Sequence, residues 1–439
     1  MTMNTLVMAA ALLAGRPAHA APDLPEIKQA AQVDTMTVGG DLRVREEYFD
    51  FRDQKSSSMF SGSARKADRN RERIRLRVKT EYKLHDDLTV VAGLASGVGE
   101  QVSTNQTMAN HGAQKPIWMD LAYAMWTPGF LGEDGSLKFQ AGKMSNPLWR
   151  IYPSDLVFDS DINPEGFAQS AGYLVGGILN VFANGMQQTV NEVSGNERDP
   201  WVLSEQVGIE LPLVFGMRLM AAGAKHSWLN ENSNAFGSFN TQMGNTPWGL
   251  GGSPSGRQSA TVLFDEYDVS ELTGQLSGWI PVPLADISLP FMIQGTFIKN
   301  MAARGPSWTG SITGAGAGPM KTWWKPAYTF LGKSDQGYQV GGQIGKAAAP
   351  NSFEIAYFYK RVAWDATVAD SSDSDFGEGG LNRKGNILWV SYTPNGFVTA
   401  TVKLFNVRLL DKRYVRDAKG VLQQPDRLNR IQADLSIKF

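Results

Sequence analysis

Cations stand at every second position of one short stretch: Arg71, Arg73, Arg75, Arg77 and Lys79, with Ile74, Leu76 and Val78 interleaved. In a helix a two-residue step turns by about 200°, which would scatter these cations around the circumference and leave no apolar stripe to pack. In a strand, successive side chains point to opposite faces, so the same stretch has one cationic and one apolar face. Two kinds of fold can use such a ribbon. A soluble sandwich would turn the charges to solvent, and a transmembrane barrel would turn them into a water-filled lumen.

The remaining sequence favours the barrel. The chain has 439 residues, no cysteine and a net charge of -1. Without cysteine there are no disulfides, zinc-thiolate sites, thiol catalysis or c-type haem attachment. A near-zero net charge argues against a nucleic-acid binder, and no run approaches the ~18 apolar residues of a membrane helix. At the N-terminus an apolar run from Leu6 to Ala14 precedes Ala18-His19-Ala20, the small-x-small pattern of a signal peptide, although the only cation, Arg16, follows the run. The expected organisation is therefore a signal peptide at 1–20, a short periplasmic lead-in at 21–34 and a transmembrane barrel at 35–439, placed in a bacterial outer membrane.

Alternation recurs along the chain. Asp41, Arg43, Arg45 and Glu47 interleave with Leu42, Val44 and Tyr48, and the period-2 pattern returns near 88–95, 136–143, 205–211, 288–300, 352–360, 385–392 and 397–405. Breaks at 85–88 and 393–396 are short, whereas 51–69, 97–115, 228–258, 300–326 and 365–384 are long and rich in Gly, Ser, Asn and Asp. Ten-residue alternating segments with short turns on one rim and long loops on the other are the barrel signature. Trp118, Trp126, Trp149, Tyr152, Trp279, Tyr359, Trp364, Trp389 and Tyr392 fall near segment ends, where interfacial aromatic girdles are expected. At the C-terminus Ile431, Ala433, Leu435, Ile437 and Phe439 alternate against Gln432, Asp434, Ser436 and Lys438. A last strand ending in Phe439 resembles the signal read by the bacterial barrel-assembly machinery. At roughly 25 residues per strand with half its connections, residues 35–439 hold about 16 strands, within a range of about 14 to 18. The expected fold is all-β: a single transmembrane antiparallel barrel with short periplasmic turns and long extracellular loops.

Residues 142–170 do not read as strand. They carry Asp155, Asp159, Asp161 and Glu165, interrupted by Pro147, Pro153 and Pro164. In GKMSNP (142–147), SDLVFDSDINPEG (154–166), the arginine ladder and the final ADLSIKF, the chain resembles the putative porin family of Gram-negative bacteria. The resemblance implies a single large barrel with a diffusive channel and does not imply a particular solute.

The residues themselves suggest a mechanism. Arg43, Arg45, Arg71, Arg73, Arg75, Arg77 and Lys79 would form one cationic lumen wall, since Arg on the lipid face costs about 2–4 kcal/mol at mid-membrane. If the 155–165 segment folds inward, Asp155, Asp159, Asp161 and Glu165 would oppose that wall and set a transverse field at the constriction. The alternatives are a solvated outer loop, or salt bridges pinning a strand junction. Asp159, Asp161 and Asn163 have calcium-ligand spacing, but Pro164 replaces the turn glycine and Ser170 the final glutamate, so the motif is not met and no metal is expected. GAGAG at 314–318 follows no strand-to-helix transition and reads as an outer loop. His85, His111 and His226 have no Ser or Asp partner at motif spacing. The expected function is a porin for passive diffusion of small hydrophilic solutes or ions, without cofactor or catalysis. Its partners are outer-membrane lipid and the assembly machinery, and a homotrimer is left open because subunit contacts would share the apolar outer face with lipid. The rivals are a substrate-specific channel, the barrel sheath of an electron-conduit complex and an outer-membrane hydrolase.

Overall fold

The computed structural model describes residues 35–52, 68–192, 199–230, 267–282, 287–303, 334–411 and 426–439. The expected signal peptide and lead-in, the GAGAG stretch and most of the expected loops at 51–69, 228–258 and 300–326 lie outside the described residues. The strands are β1 (Thr35–Arg52), β2 (Arg69–His85), β3 (Leu88–Ser96), β4 (Gln106–Thr107), β5 (Ile117–Trp126), β6 (Gly135–Lys143), β7 (Glu165–Val175), β8 (Leu179–Thr189), β9 (Trp201–Pro212), β10 (Arg218–Leu229), β11 (Asp268–Val282), β12 (Ile287–Asn300), β13 (Gln336–Gly345), β14 (Ser352–Val362), β15 (Arg383–Thr393), β16 (Val398–Leu409) and β17 (Arg427–Lys438). All the strands pair antiparallel, and β17 returns to β1, so that the strands other than β4 close a 16-stranded barrel. The two-residue β4 extends the sheet along β2, opposite Arg73 and Ile74 and beyond the end of β3.

Closure leaves no unpaired edge, the condition a spanning sheet must meet in hydrocarbon. The connections alternate in length: 86–87, 176–178 and 394–397 are tight, while 97–116, 144–164 and 363–382 are long and emerge from the other rim. No helix among the described residues is long and apolar enough to cross a membrane.

The pleat inverts the usual inside-out rule. Leu272, Ile293, Phe167 and Val207 are 63%, 56%, 59% and 61% exposed, while Lys360, Gln339, Gln432 and Glu47 are fully buried. Among the described residues there is a single sheet and no second layer over this apolar face, the arrangement of a sheet that meets lipid.

Two long loops fold into the lumen because they carry apolar side chains that need cover. Leu148, Leu156, Val157, Phe158 and Ile162 from 144–164 pack with Ala366, Val368, Ala369 and Leu381 from 363–382. Both sets meet Trp228, Val269, Ile298 and Val362 of the barrel wall. At ~1.5–3 kcal/mol per large apolar side chain, the five from the first loop contribute on the order of 10 kcal/mol. Gly142 and Gly166, which flank this loop, are register partners with φ of +122° and +146°. A Cβ at either would lie 2.2 Å or closer to a backbone oxygen of the neighbouring strand, so only glycine fits where the chain leaves and rejoins the sheet.

Two expectations need correction. Part of 142–170 is strand after all: residues 142–143 end β6 and 165–170 open β7, where small inward groups such as Ala168 and Ser170 hide the alternation. The girdle is also smaller than expected. Trp118, Trp126, Trp279 and Tyr392 are exposed, but Trp389 is in register with inward-facing Ala356 and is buried. Trp149 and Tyr152 sit on the first inward loop and Trp364 on the second, the loops having carried these aromatics into the lumen.

Candidate functional site

The register of three strands assembles the charged wall. β2 places Arg77 opposite Asp41, Arg75 opposite Arg43, Arg73 opposite Arg45 and Arg71 opposite Glu47. On the other side of β1, β17 places Asp434 opposite Arg45 and Arg430 opposite Phe49. These residues share the inward face, since Leu42, Val44, Tyr48 and Leu76 between them are exposed. Like charges directly opposite repel, and the wall answers with interleaved carboxylates. Arg45 Nε donates to Asp434 Oδ1 at 2.6 Å, Arg75 Nε to Asp41 Oδ2 at 3.0 Å and Arg77 Nε to Asp41 Oδ1 at 2.6 Å. Arg71 Nε and Arg430 Nη2 converge on the two oxygens of Glu47 at 2.7 and 2.6 Å. Lys79 pairs with Glu81 at 2.6 Å, both half-exposed. From the second inward loop, Asp375 accepts from Arg430 at 2.9 Å and from Arg45 at 3.3 Å. Burial would raise the Asp375 carboxyl, but Arg430 and Arg45 outweigh it and hold the group well below the usual carboxylate range.

The four acids expected at the constriction divide. Asp161 meets the ladder, with Oδ1 3.7 Å from Arg77 Nη1 and Oδ2 accepting from the Thr104 amide at 3.4 Å. Asp155 and Asp159 turn instead to the other inward loop. The Asp159 amide donates to Ser371 O at 2.6 Å, its carboxylate accepts from the Ser374 amide at 2.8 Å, and the Asp373 amide donates to Asp155 O at 3.0 Å. The carboxylates of Asp155, Asp159 and Asp373 lie within 4.8 Å of one another, and buried Lys360 pairs with Asp373. Burial first, and the Asp373 charge second, push Asp155 up to about 6. Burial together with Asp155 raises Asp159 well above its ordinary range. Glu165 opens β7 and pairs with Lys143 at 2.9 Å, at the junction of β6 and β7. Asn163 donates to Asp120 at 2.9 Å, away from Asp159.

The tip of the first loop crosses to the far wall. Gln294 donates to Tyr152 O at 2.6 Å, and Lys403 donates to the Tyr152 hydroxyl while lying 4.9, 5.3 and 5.8 Å from the Tyr152, Trp389 and Phe405 ring centres. His226, partnerless in sequence spacing, touches Ser204 at 2.9 Å and Glu271 at 3.3 Å because β9, β10 and β11 lie side by side. Ser204 and His226 are both buried, and the His226 ring meets Phe158 edge-on at 5.4 Å, so this contact is an interior polar tie. Phe439 caps the closing seam: its amide and carbonyl exchange hydrogen bonds with Gly40 at 3.1 and 2.9 Å.

A closed barrel of 16 strands with lumenal loops and a charged wall is a porin-like architecture, and comparison with known proteins agrees. Residues 45–241 match the family described as putative porin. The high-pH structure of OprB from Pseudomonas putida is similar at a TM-score of 0.52 and 9% identity, covering 94% of this chain and 96% of that one. A triple mutant of the Rhodopseudomonas blastica porin aligns at a TM-score of 0.41 and 8% identity, over 92% and 100%. A search of curated proteins gave no match. Family match and porin-like fold together support a channel in the outer membrane of a Gram-negative bacterium.

Sequence reasoning gave Asp41, Glu47 and Asp434 no role, although each stands in the same alternating set as a ladder arginine or its partner strand. Their period was the available signal. Asp375 and Tyr152 carried none for this site, since their placement depends on where the inward loops land; Lys403 stands in the alternating 397–405 stretch, but its loop partner Tyr152 could not be read from it.

Proposed function

We propose that the chain is a porin passing small hydrophilic solutes or ions by passive diffusion, with selectivity set where the ladder remains open to the lumen. The observation that carries this reading is the closed barrel itself, apolar outside and charged within. Arg43, Arg45, Arg71 and Arg73 are tied into the wall, whereas Arg77 stays 38% exposed beside Asp161 and Lys79 stays 41% exposed beside Glu81. These two cations and the Asp161 carboxylate form the polar constriction; Asp155 and Asp159 serve it indirectly by fixing the loop that carries Asp161. Phe439 acts in this reading as the recognition end for barrel assembly. The test is the reversal potential in a planar bilayer under a salt gradient. Arg77→Gln with Lys79→Gln shifts it toward cation selectivity, and an unchanged value would remove the ladder from the selectivity mechanism.

A further inference from the structure

The outer face of the barrel carries charge that the lumen does not explain. Arg361, Lys384, Arg408, Arg427 and Arg52 stand opposite one another in an unbroken row along β14, β15, β16, β17 and β1. Their chain neighbours Lys360, Arg383, Val407, Leu428 and Phe51 are buried on the lumenal side, so the pleat turns all five cations outward. Each is one of the two residues at the end of its strand that adjoins a long connection. In bacterial barrels that rim faces outside. Four strand spacings of about 4.8 Å spread the row over about 19 Å.

Like charges directly opposite repel, and the lumenal wall meets that repulsion with interleaved carboxylates. The outer row does so at one end, where Arg52 turns to Asp50 at 2.5 Å. Among the described residues Arg361, Lys384 and Arg408 form no ion pair with a carboxylate, and the Arg361 guanidinium lies 6.0 Å from the Tyr338 ring centre. Two residues further from the rim, the outward positions are neutral and polar. Tyr359, Asn386, Asn406 and Asn429 follow one another in register, and Asn406 donates to Asn429 at 2.6 Å. Two residues further again, Leu388, Leu404 and Ile431 form an exposed apolar tier.

We propose that this face of β14 to β17 and β1 binds the phosphorylated glycolipid of the outer leaflet. Its phosphate groups bridge the cation row, where guanidinium forks pair with two phosphate oxygens at once. Sugar hydroxyls and acyl-linkage carbonyls meet the amide tier, and the acyl chains lie on the apolar tier. An acidic protein segment would satisfy the cations alone. A ligand anionic at one end and apolar at the other matches all three tiers, and the lowest of them continues into the lipid-facing surface. The site lies outside the lumen and does not depend on whether the channel conducts.

Diphosphoryl lipid A is the probe, titrated at constant ionic strength onto the full chain folded in detergent, with bound lipid counted by native mass spectrometry. Its dephosphorylated form and inorganic phosphate are the comparisons. The expected result is retention of the diphosphoryl form and much weaker binding of both comparisons. Arg361→Gln, Lys384→Gln and Arg408→Gln together weaken binding about a hundredfold, at about fivefold for each cation beside an anionic lipid surface. Lys346→Gln, beyond β13 at the opposite rim, leaves it unchanged. If the triple variant does not fold, Arg408→Gln alone, at an exposed position, weakens binding about fivefold. Equal retention of the phosphorylated and dephosphorylated lipids overturns the proposal, as does an equal loss in Lys346→Gln. Inorganic phosphate that displaces the lipid at matching concentration would mark a site for free anions and overturn the lipid assignment. A photo-crosslinking residue in place of Asn406 captures the glycolipid in native membranes; capture of a protein in its stead would contradict the proposal.

Discussion

Glu47 is the residue on which the wall's charge balance most depends. Fully buried, it accepts from Arg71 at 2.7 Å, Arg430 at 2.6 Å, Gln432 at 3.1 Å and Arg45 at 3.3 Å. Removing one partner of a buried ion pair costs about 3–5 kcal/mol, because the remaining charge stays desolvated. Glu47→Ala leaves three guanidinium groups sharing the loss, so the expected destabilisation lies in that range, with Glu47→Gln intermediate. The control is Glu81→Ala. Glu81 pairs with Lys79 at a half-exposed position and is worth at most about 1 kcal/mol. The assay is urea unfolding of the barrel folded into detergent or vesicles, followed by heat-modifiable migration. A double variant, Glu47→Ala with Arg71→Ala, should be less destabilised than the sum of the two single changes, because it removes an orphaned charge along with its partner. If Glu47→Ala costs no more than Glu81→Ala, or the two changes simply add, the wall is not a coupled network and the reasoning fails.

Two further outcomes follow from the same geometry. Asp155 is raised from 3.8 to about 6 when its loop is seated, so the seated form holds a proton that the released form has lost. The loop contact is therefore fully stabilised below about pH 4 and weakens as pH rises through 6; Asp375, lowered, acts oppositely but only below the ordinary carboxylate range. Unfolding midpoints between pH 4 and 7 should show this fall; Asp159, raised with it, shares the slope, so Asp155→Asn should reduce the fall and Asp155→Asn with Asp159→Asn should remove most of it, and an identical slope in both variants would discard the assignment. On the outer face, Ile293→Arg at the middle of β12 should cost about 2–4 kcal/mol of folding into bilayers; an unaffected yield would mean that this face does not meet lipid.

The barrel was legible where one face is strongly apolar and the other charged. β2 and β17 announce themselves in this way. β7 and β8 do not, because Ala168, Ser170, Asn184 and Gly185 give neither face a clear character. The inward side of the ladder could be read from Arg71 to Lys79 alone, since lipid excludes the other side. Its partners could be read only in part. Asp41 and Glu47 are neighbours on the same strand, but Asp434 meets Arg45 only because the last strand returns to the first, a contact separated by 389 residues. The acidic segment was the hardest to read. Its carboxylates are close in sequence, yet a second loop some 200 residues away takes Asp155 and Asp159 and leaves Asp161 to the arginines. No local pattern encodes the docking of one irregular loop on another; the apolar side chains of both loops do so through burial.

The central claim is that the lumen between the seated loops and the charged wall still conducts. Single-channel recording of the folded chain in a planar bilayer tests it most directly. The account predicts stepwise conductance that scales with salt concentration; a correctly folded, heat-modifiable barrel that inserts and passes no current would mean that the inward loops seal the lumen, contradicting the porin reading.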